Sequence, residues 1–196
     1  MLKEQGHLCC YCQQRIENVE STVIEHLFPR NPKDEADKEQ GRARMFDYNN
    51  LLAACDGGSM ANRERPSATK SFPQYCDKHK DEDLLPLSPL QPDVETRLTY
   101  LRTDDKVRIE PVGGATEVST AIEQILNLNT PFLEKRRGAA FDELIFKDIE
   151  TLEPISAEEA AQMLAAFQQQ QDGRDEHLPE FFGVKLHFLR LFSGQA

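Results

Sequence analysis

Residues 22–28 read TVIEHLF, a β-branched and apolar run interrupted by one acid and one histidine and closed by Pro29. This pattern predicts a strand that ends at the proline. Ahead of it, residues 8–16 (LCCYCQQRI) predict a tight turn opening a short hairpin. Residues 31–45 are charged throughout and predict a loop or an exposed turn of helix. Further on, residues 97–102 (RLTYLR) and 106–111 (KVRIEP) flank Thr-Asp-Asp as a second hairpin. Residues 121–128, 131–149, 157–171 and 179–192 then carry apolar positions at helical spacing, with the glutamine run 168–171 as a polar helix end. No internal repeat is visible.

Three prolines in residues 83–93 (DLLPLSPLQPD) fix the backbone and remove donors, which marks a junction. Charge divides at the same place. Residues 1–82 hold 12 Lys/Arg against 14 Asp/Glu, while residues 83–196 hold 11 against 20, so the net charge of −11 resides mainly in the second part. All five cysteines and three of the five histidines lie in the first part. The organisation expected is a chemical module, 1–82, followed by an acidic one, 83–196.

At 196 residues the chain is long enough to bury a core without a disulfide framework. Its start, MLKEQGH, has no apolar run after its charge, and no later segment approaches the roughly 18 to 20 apolar residues of a spanning helix. The expectation is a cytoplasmic protein with no membrane partner. The acidic balance argues against a generic nucleic-acid coat protein, which normally carries a basic surplus.

The cysteines bring in the chemistry. Cys9 and Cys12 form a C-x-x-C that can put two thiolates on one tetrahedral zinc, and Cys55 and Cys76 can supply the other two, leaving Cys10 as a buried spare. The competing readings are a redox pair or simple burial. The 20 residues between Cys55 and Cys76 require an inserted loop over 56–75.

Taken in order, C-x-x-C (Cys9, Cys12), E-H-x-x-P (Glu25, His26, Pro29), N-L-x-x-x-C (Asn50, Leu51, Cys55) and C-x-x-x-K (Cys76, Lys80) resemble the HNH endonuclease family over about residues 9–80. The resemblance implies an α+β fold: an N-terminal ββα-metal HNH nuclease module with a structural zinc, followed by a hairpin and a mostly helical region. It implies His26 as the general base, Glu25 as a ligand of a catalytic Mg²⁺ or Mn²⁺, and Asn50 as the group that holds His26 or its strand in position. Without that context His26 reads as a core histidine and Asn50 as a turn cap. Where family members carry asparagine or histidine as the last metal ligand, this chain has Asp77, with His79 as the competing ligand. The family chemistry needs these types, since hydrolysing a phosphodiester takes a base for water and a cation for the charge on the phosphate.

The substrate implied is a nucleic acid, DNA ahead of RNA. Arg30, Arg42, Arg44, Arg63, Arg65, Lys70, Lys78 and Lys80 are the cations available near the site, although the acids among them also fit a solvated surface. A narrower likeness, carried by IEHLFPR, YNNLLAAC and ILNLNTPFLEKRR, is to the PtuB-type HNH proteins of Septu and retron-associated bacterial antiphage systems. It implies a PtuA-type ATPase as partner, and in the retron-associated case a reverse transcriptase and its RNA–DNA product. Residues 116–192 would then be a docking module, or else a helical cap completing the core of the first. A rival of another class is a non-catalytic zinc-stabilised adaptor; a second is a cysteine-based redox protein.

Overall fold

A computed structural model describes residues 1–17, 19–64, 71–148, 153–172 and 177–195. The chain is mixed α/β, built from α-helices and small antiparallel two-stranded sheets. No helix among the described residues is long and apolar enough to cross a membrane.

Strand β1, Thr22–His26, pairs antiparallel with β2, Leu51–Cys55, in a register that sets His26 opposite Leu51 and Thr22 opposite Cys55. The usual partition of side chains is inverted on β1: Ile24 is 61% exposed and Glu25 only 2%. A strand selected for stability alone would bury the isoleucine, so the inversion points to a task for the carboxyl group. Between the strands lies helix α1, Lys38–Ala43, within the stretch expected as loop or exposed helical turn. Gly41 lets α1 approach closely, since a Cβ there would stand 2.6 Å from the Pro29 carbonyl oxygen and 2.7 Å from that of Arg30. After β2 come α2, Ser59–Arg63, inside the expected insertion, and the one-turn helix α3, Asp77–Lys80.

The second hairpin joins β3, Leu98–Thr103, to β4, Lys106–Pro111. Helix α4, Thr116–Ser119, runs into a π-helical turn, Thr120–Ile125, and α5 spans Pro131–Ile145 with Thr130 as its N-cap. The helical spacing over 131–149 overruns this element. The chain leaves the helix at Phe146 and pairs β5, Phe146–Asp148, with β6, Glu153–Pro154, while Ile149 lies outside the described residues. Helix α6, Ala157–Asp172, packs on α7, Phe182–Phe192, and Phe167 stacks on Phe182 at 5.4 Å between ring centroids. Helix α7 starts three residues later than its spacing suggests, because Phe181 takes a left-handed conformation.

One apolar core spans the proline-rich stretch. Cys9, Tyr11, Ala54 and Cys76 share a buried cluster with Leu87, Ile109, Ile122 and Leu133. Backbone bonds tie the same parts together, the Cys76 amide donating to the Leu126 carbonyl at 2.8 Å. Within residues 126–137, Asn129 and Arg137 form a buried clamp. The Arg137 guanidinium donates to the carbonyls of Val107 (2.8 Å) and Leu128 (2.9 Å) and to Asn129 Oδ1 (2.9 Å), while Asn129 bonds the Ile109 amide and carbonyl of β4. Burial pushes the Arg137 guanidinium down to about 10, yet its planar fork satisfies three acceptors that would otherwise be desolvated and unpaired.

Candidate metal centre and carboxylate pocket

The turn at the start of the chain is closed by hydrogen bonds from the Cys9 amide to the Gln14 carbonyl (2.9 Å) and from the Gln13 amide to the Cys9 carbonyl (3.1 Å), with Gln13 at positive φ. That geometry aims Cys9 and Cys12 at one point. Cys55, the last residue of β2, and Cys76, the residue before α3, arrive from the other side. The four sulfurs lie within 4.8 Å of one another, with Cys9 to Cys76 at 3.9 Å and Cys12 to Cys55 at 3.8 Å, and all four side chains are buried. A tetrahedron with metal–sulfur bonds of about 2.3 Å has edges of roughly 3.8 Å, so the four cysteines could hold a zinc ion with little adjustment. None is in a disulfide. The Cys55 amide points at Cys9 Sγ at 3.3 Å, a contact that favours a thiolate.

Ionisation follows the crowding. Burial opposes the charge on Cys9, but hydrogen bonds from Cys10, Cys12, Cys55 and Cys76 outweigh it and hold Cys9 well below the ordinary thiol value. Burial pushes Cys12 and Cys76 up, as four thiols cannot all ionise side by side without a cation. Cys10 stands outside the sulfur tetrad and packs half-buried against the same core.

Glu25 lies beneath a second feature, a surface cavity of about 200 Å³ whose lining includes Glu25, His26, Arg30, Asp77, Asp81 and Glu82. Tyr11 donates its hydroxyl to Glu25 Oε1 at 2.7 Å, and Lys80 Nζ lies 2.8 Å from the same oxygen. Glu25 also shares a hydrogen bond with Asp77. Burial opposes the charge on Glu25, but bonds to Asp77, Lys80 and Tyr11 prevail and keep it below the usual carboxylate range. The proton of the pair therefore rests on Asp77, whose carboxyl is raised to about 8 by burial and by the Glu25 charge.

His26 ends β1 with its ring Nε2 3.0 Å from the Met45 carbonyl oxygen. A carbonyl only accepts, so Nε2 carries the hydrogen and the neutral ring keeps Nδ1 as its basic nitrogen. Asn50 is fully buried and makes no side-chain hydrogen bond to the ring. Its amide donates to the carbonyls of Phe28 (3.0 Å) and Arg44 (3.2 Å), and its Oδ1 accepts from the Phe28 amide (2.7 Å). It thereby fixes both segments that border His26, the chain leaving β1 and the loop carrying Met45.

The two candidates for the last ligand separate. Asp77 lines the cavity, whereas His79 directs Nδ1 to the Ile125 carbonyl at 2.9 Å and is not part of the lining. Among the described residues the cysteines are the one set of three or more metal-binding side chains that converge closely; at the cavity Glu25 and Asp77 interact directly, and Asp81 and Glu82 also line it.

Lys80, read from sequence as a cation for nucleic acid, is corrected by its burial: at 1% exposure it serves Glu25 and, at 3.2 Å, the His26 carbonyl. Arg30, Arg42, Arg63 and Lys78 are exposed and Arg44 is half-buried, while Arg65 and Lys70 lie outside the described residues. Sequence reasoning missed Tyr11, whose only signal is its place between two cysteines, and Asp81, one acid in the run DKHKDED. No family model matches the chain, and neither does any curated protein or solved structure.

Proposed function

We propose that the chain is a metal-dependent endonuclease of the HNH type, with a ββα site formed by β1, β2 and α3 and a structural zinc on Cys9, Cys12, Cys55 and Cys76. The observation that carries this reading is the pairing of Glu25 with Asp77 at the floor of a cavity whose wall holds His26 with its tautomer fixed by Met45. Two facing carboxyls need either a shared proton or a cation, and hard divalent ions favour such oxygens.

In this reading His26 Nδ1 accepts the proton of a water at the phosphodiester, while the Nε2–H bond to Met45 keeps the ring aimed and Asn50 keeps both backbone segments in place. Glu25 and Asp77 would hold Mg²⁺ or Mn²⁺, which supplies charge stabilisation at the phosphate and leaving oxygen. Tyr11 and Lys80 orient the Glu25 carboxylate, and Arg30 and Lys78, both on the cavity wall, are cations to hand for a substrate phosphate. The resemblance extends the proposal to biology: a nuclease effector of a bacterial antiphage system acting on DNA ahead of RNA, beside a PtuA-type ATPase and, in a retron-associated setting, a reverse transcriptase.

One observation favours the zinc-stabilised adaptor. Glu25 is already satisfied by Tyr11 and Lys80, as a purely structural buried acid would be. The test is cleavage of plasmid and single-stranded DNA by the zinc-loaded chain, alone and with its partner, with and without Mn²⁺, against His26→Ala. Cation-dependent cleavage lost in the variant supports the nuclease; absence of cleavage in every condition supports the adaptor.

A further inference from the structure

Phe46 is 85% exposed, the largest exposure among the big apolar side chains of the described residues, and it directly follows Met45, whose carbonyl holds His26. Exposed apolar residues are common singly, but this one is displayed on a rigid loop. The Met45 amide bonds the Arg42 carbonyl, the Asp47 amide bonds the Arg44 carbonyl, and the Asn50 side chain holds the Arg44 carbonyl from behind. Asp47 then caps the turn Tyr48–Asn50 through the Asn49 amide at 3.0 Å. These bonds hold the backbone that carries the ring, and the Met45 carbonyl of the same loop holds His26.

Cations share its loop and the neighbouring cavity: Arg42 and Arg44 precede Phe46 in the chain, and Arg30 lines the cavity beside His26. The close seat of Gly41 on the Pro29 and Arg30 carbonyls brings the α1 backbone that carries Arg42 against the backbone at Arg30, and neither arginine has an ion-pair partner among the described residues. Arg44 lies over the Phe28 ring, 5.5 Å from its centroid. In a chain of net charge −11, exposed arginines without ion-pair partners on the segments that flank an exposed aromatic ring and its neighbouring cavity are complementary to a polyanion that also presents flat apolar faces. A nucleic acid has both, but base faces are accessible only where the strand is unpaired, since in a duplex they are stacked away.

We infer that Phe46 is a stacking platform for an unpaired base next to the scissile phosphodiester, with Arg30 and Arg42 on the flanking phosphates, so that the substrate is single-stranded or locally unpaired nucleic acid. The inference rests on the nuclease reading and narrows it.

The test uses the zinc-loaded full chain carrying His26→Ala, which keeps the oligonucleotide intact. Fluorescence anisotropy is recorded with a labelled single-stranded DNA 20-mer and with its duplex, and cleavage of both is measured separately in the chain with His26 present. The single strand is expected to bind more tightly than the duplex. Phe46→Ala should weaken single-strand binding by about five- to a hundred-fold, the stacking range for one base, and Phe46→Tyr should restore it. Arg42→Ala should weaken it and flatten its salt dependence. Equal binding by the Phe46→Ala variant, with the parent chain cleaving normally, overturns the inference and leaves the nuclease reading standing. Preference for the duplex overturns it in the same way. Loss of co-purification with the ATPase in Phe46→Ala, at unchanged oligonucleotide affinity, assigns the ring to a protein interface and also overturns it. Failure of the parent chain both to bind and to cleave removes the nuclease reading itself.

Discussion

Lys80 Nζ sits 2.8 Å from Glu25 Oε1, and both side chains are almost wholly buried. Helix α3 thus neutralises the acid that β1 turns inward, and one ion pair joins β1 to the helix that directly follows the zinc-ligand candidate Cys76. Removing one partner of such a pair strands a charge away from water. Lys80→Ala should therefore cost about 3 to 5 kcal/mol in urea unfolding of the zinc-loaded chain. The double variant Glu25→Gln with Lys80→Met should cost less than the two single changes added together. A loss under about 1 kcal/mol for Lys80→Ala would mean that the pair is solvated in the folded protein.

The four sulfurs predict one zinc per chain by elemental analysis. Cys12→Ser should lose the metal and unfold the N-terminal part, because zinc binding is folding free energy for a site the unfolded chain lacks. Cys10→Ser, outside the tetrad, should keep a full zinc equivalent. Loss of zinc in both variants would assign Cys10 a ligand role.

Much of this was legible in order and spacing. The C-x-x-C, a strand starting at Thr22 (it ends at His26, short of Pro29), the hairpin over residues 97–111 and the run of later helices all follow from turn chemistry and periodicity, which are local signals. What the sequence hid is non-local. Nothing near Lys80 announces that its ammonium turns inward, because the same letters describe a solvated face until α3 is docked on β1. Tyr11 is invisible for the same reason: its partner Glu25 lies 14 residues away. That His79 turns toward the Ile125 carbonyl, away from the cavity that Asp77 lines, depends on a residue 46 positions away in the chain. The end of α5 at Ile145 escaped the helical period because Ile145, Phe146 and Ile155 hold the same apolar spacing while the backbone changes partner, the Ile155 amide bonding the Ile145 carbonyl at 2.8 Å.

His26→Ala should lower cleavage by about 10² to 10⁴ while zinc content and fold persist, since a positioned proton acceptor is worth that much. Asn50→Ala acts differently. It leaves the Phe28 amide and carbonyl and the Arg44 carbonyl without their partner, at about 1 to 3 kcal/mol for each group that stays buried. It should therefore lower the unfolding midpoint together with the rate. An Asn50→Ala variant with full stability and a reduced rate would show that Asn50 touches the reaction directly.

Asp77 and His79 give the sharpest contrast, because the structure gives them different work. Asp77→Asn should abolish cation-dependent cleavage, whereas His79→Ala should keep it and lose about 1 kcal/mol with the bond to Ile125. A pH series separates the roles without any activity readout. The folded-state pKa of Asp77, about 8, lies above its ordinary value of 3.8, so the native chain keeps a proton that the unfolded chain has released. With no Mg²⁺ or Mn²⁺ present, this group's contribution to stability is complete at acid pH and is lost as pH rises toward and through about 8. The Asp77→Asn variant retains a hydrogen-bond donor toward Glu25 at every pH, and its midpoint should fall less over that window. Adding Mn²⁺ at pH 8 should raise the midpoint of the parent chain, since Glu25 and Asp77 would hold the cation and it would supply the charge compensation that the proton gives at lower pH, and leave that of Asp77→Asn unchanged. An equal Mn²⁺ response in both, paired with loss of cleavage in His79→Ala, would transfer the ligand role to His79.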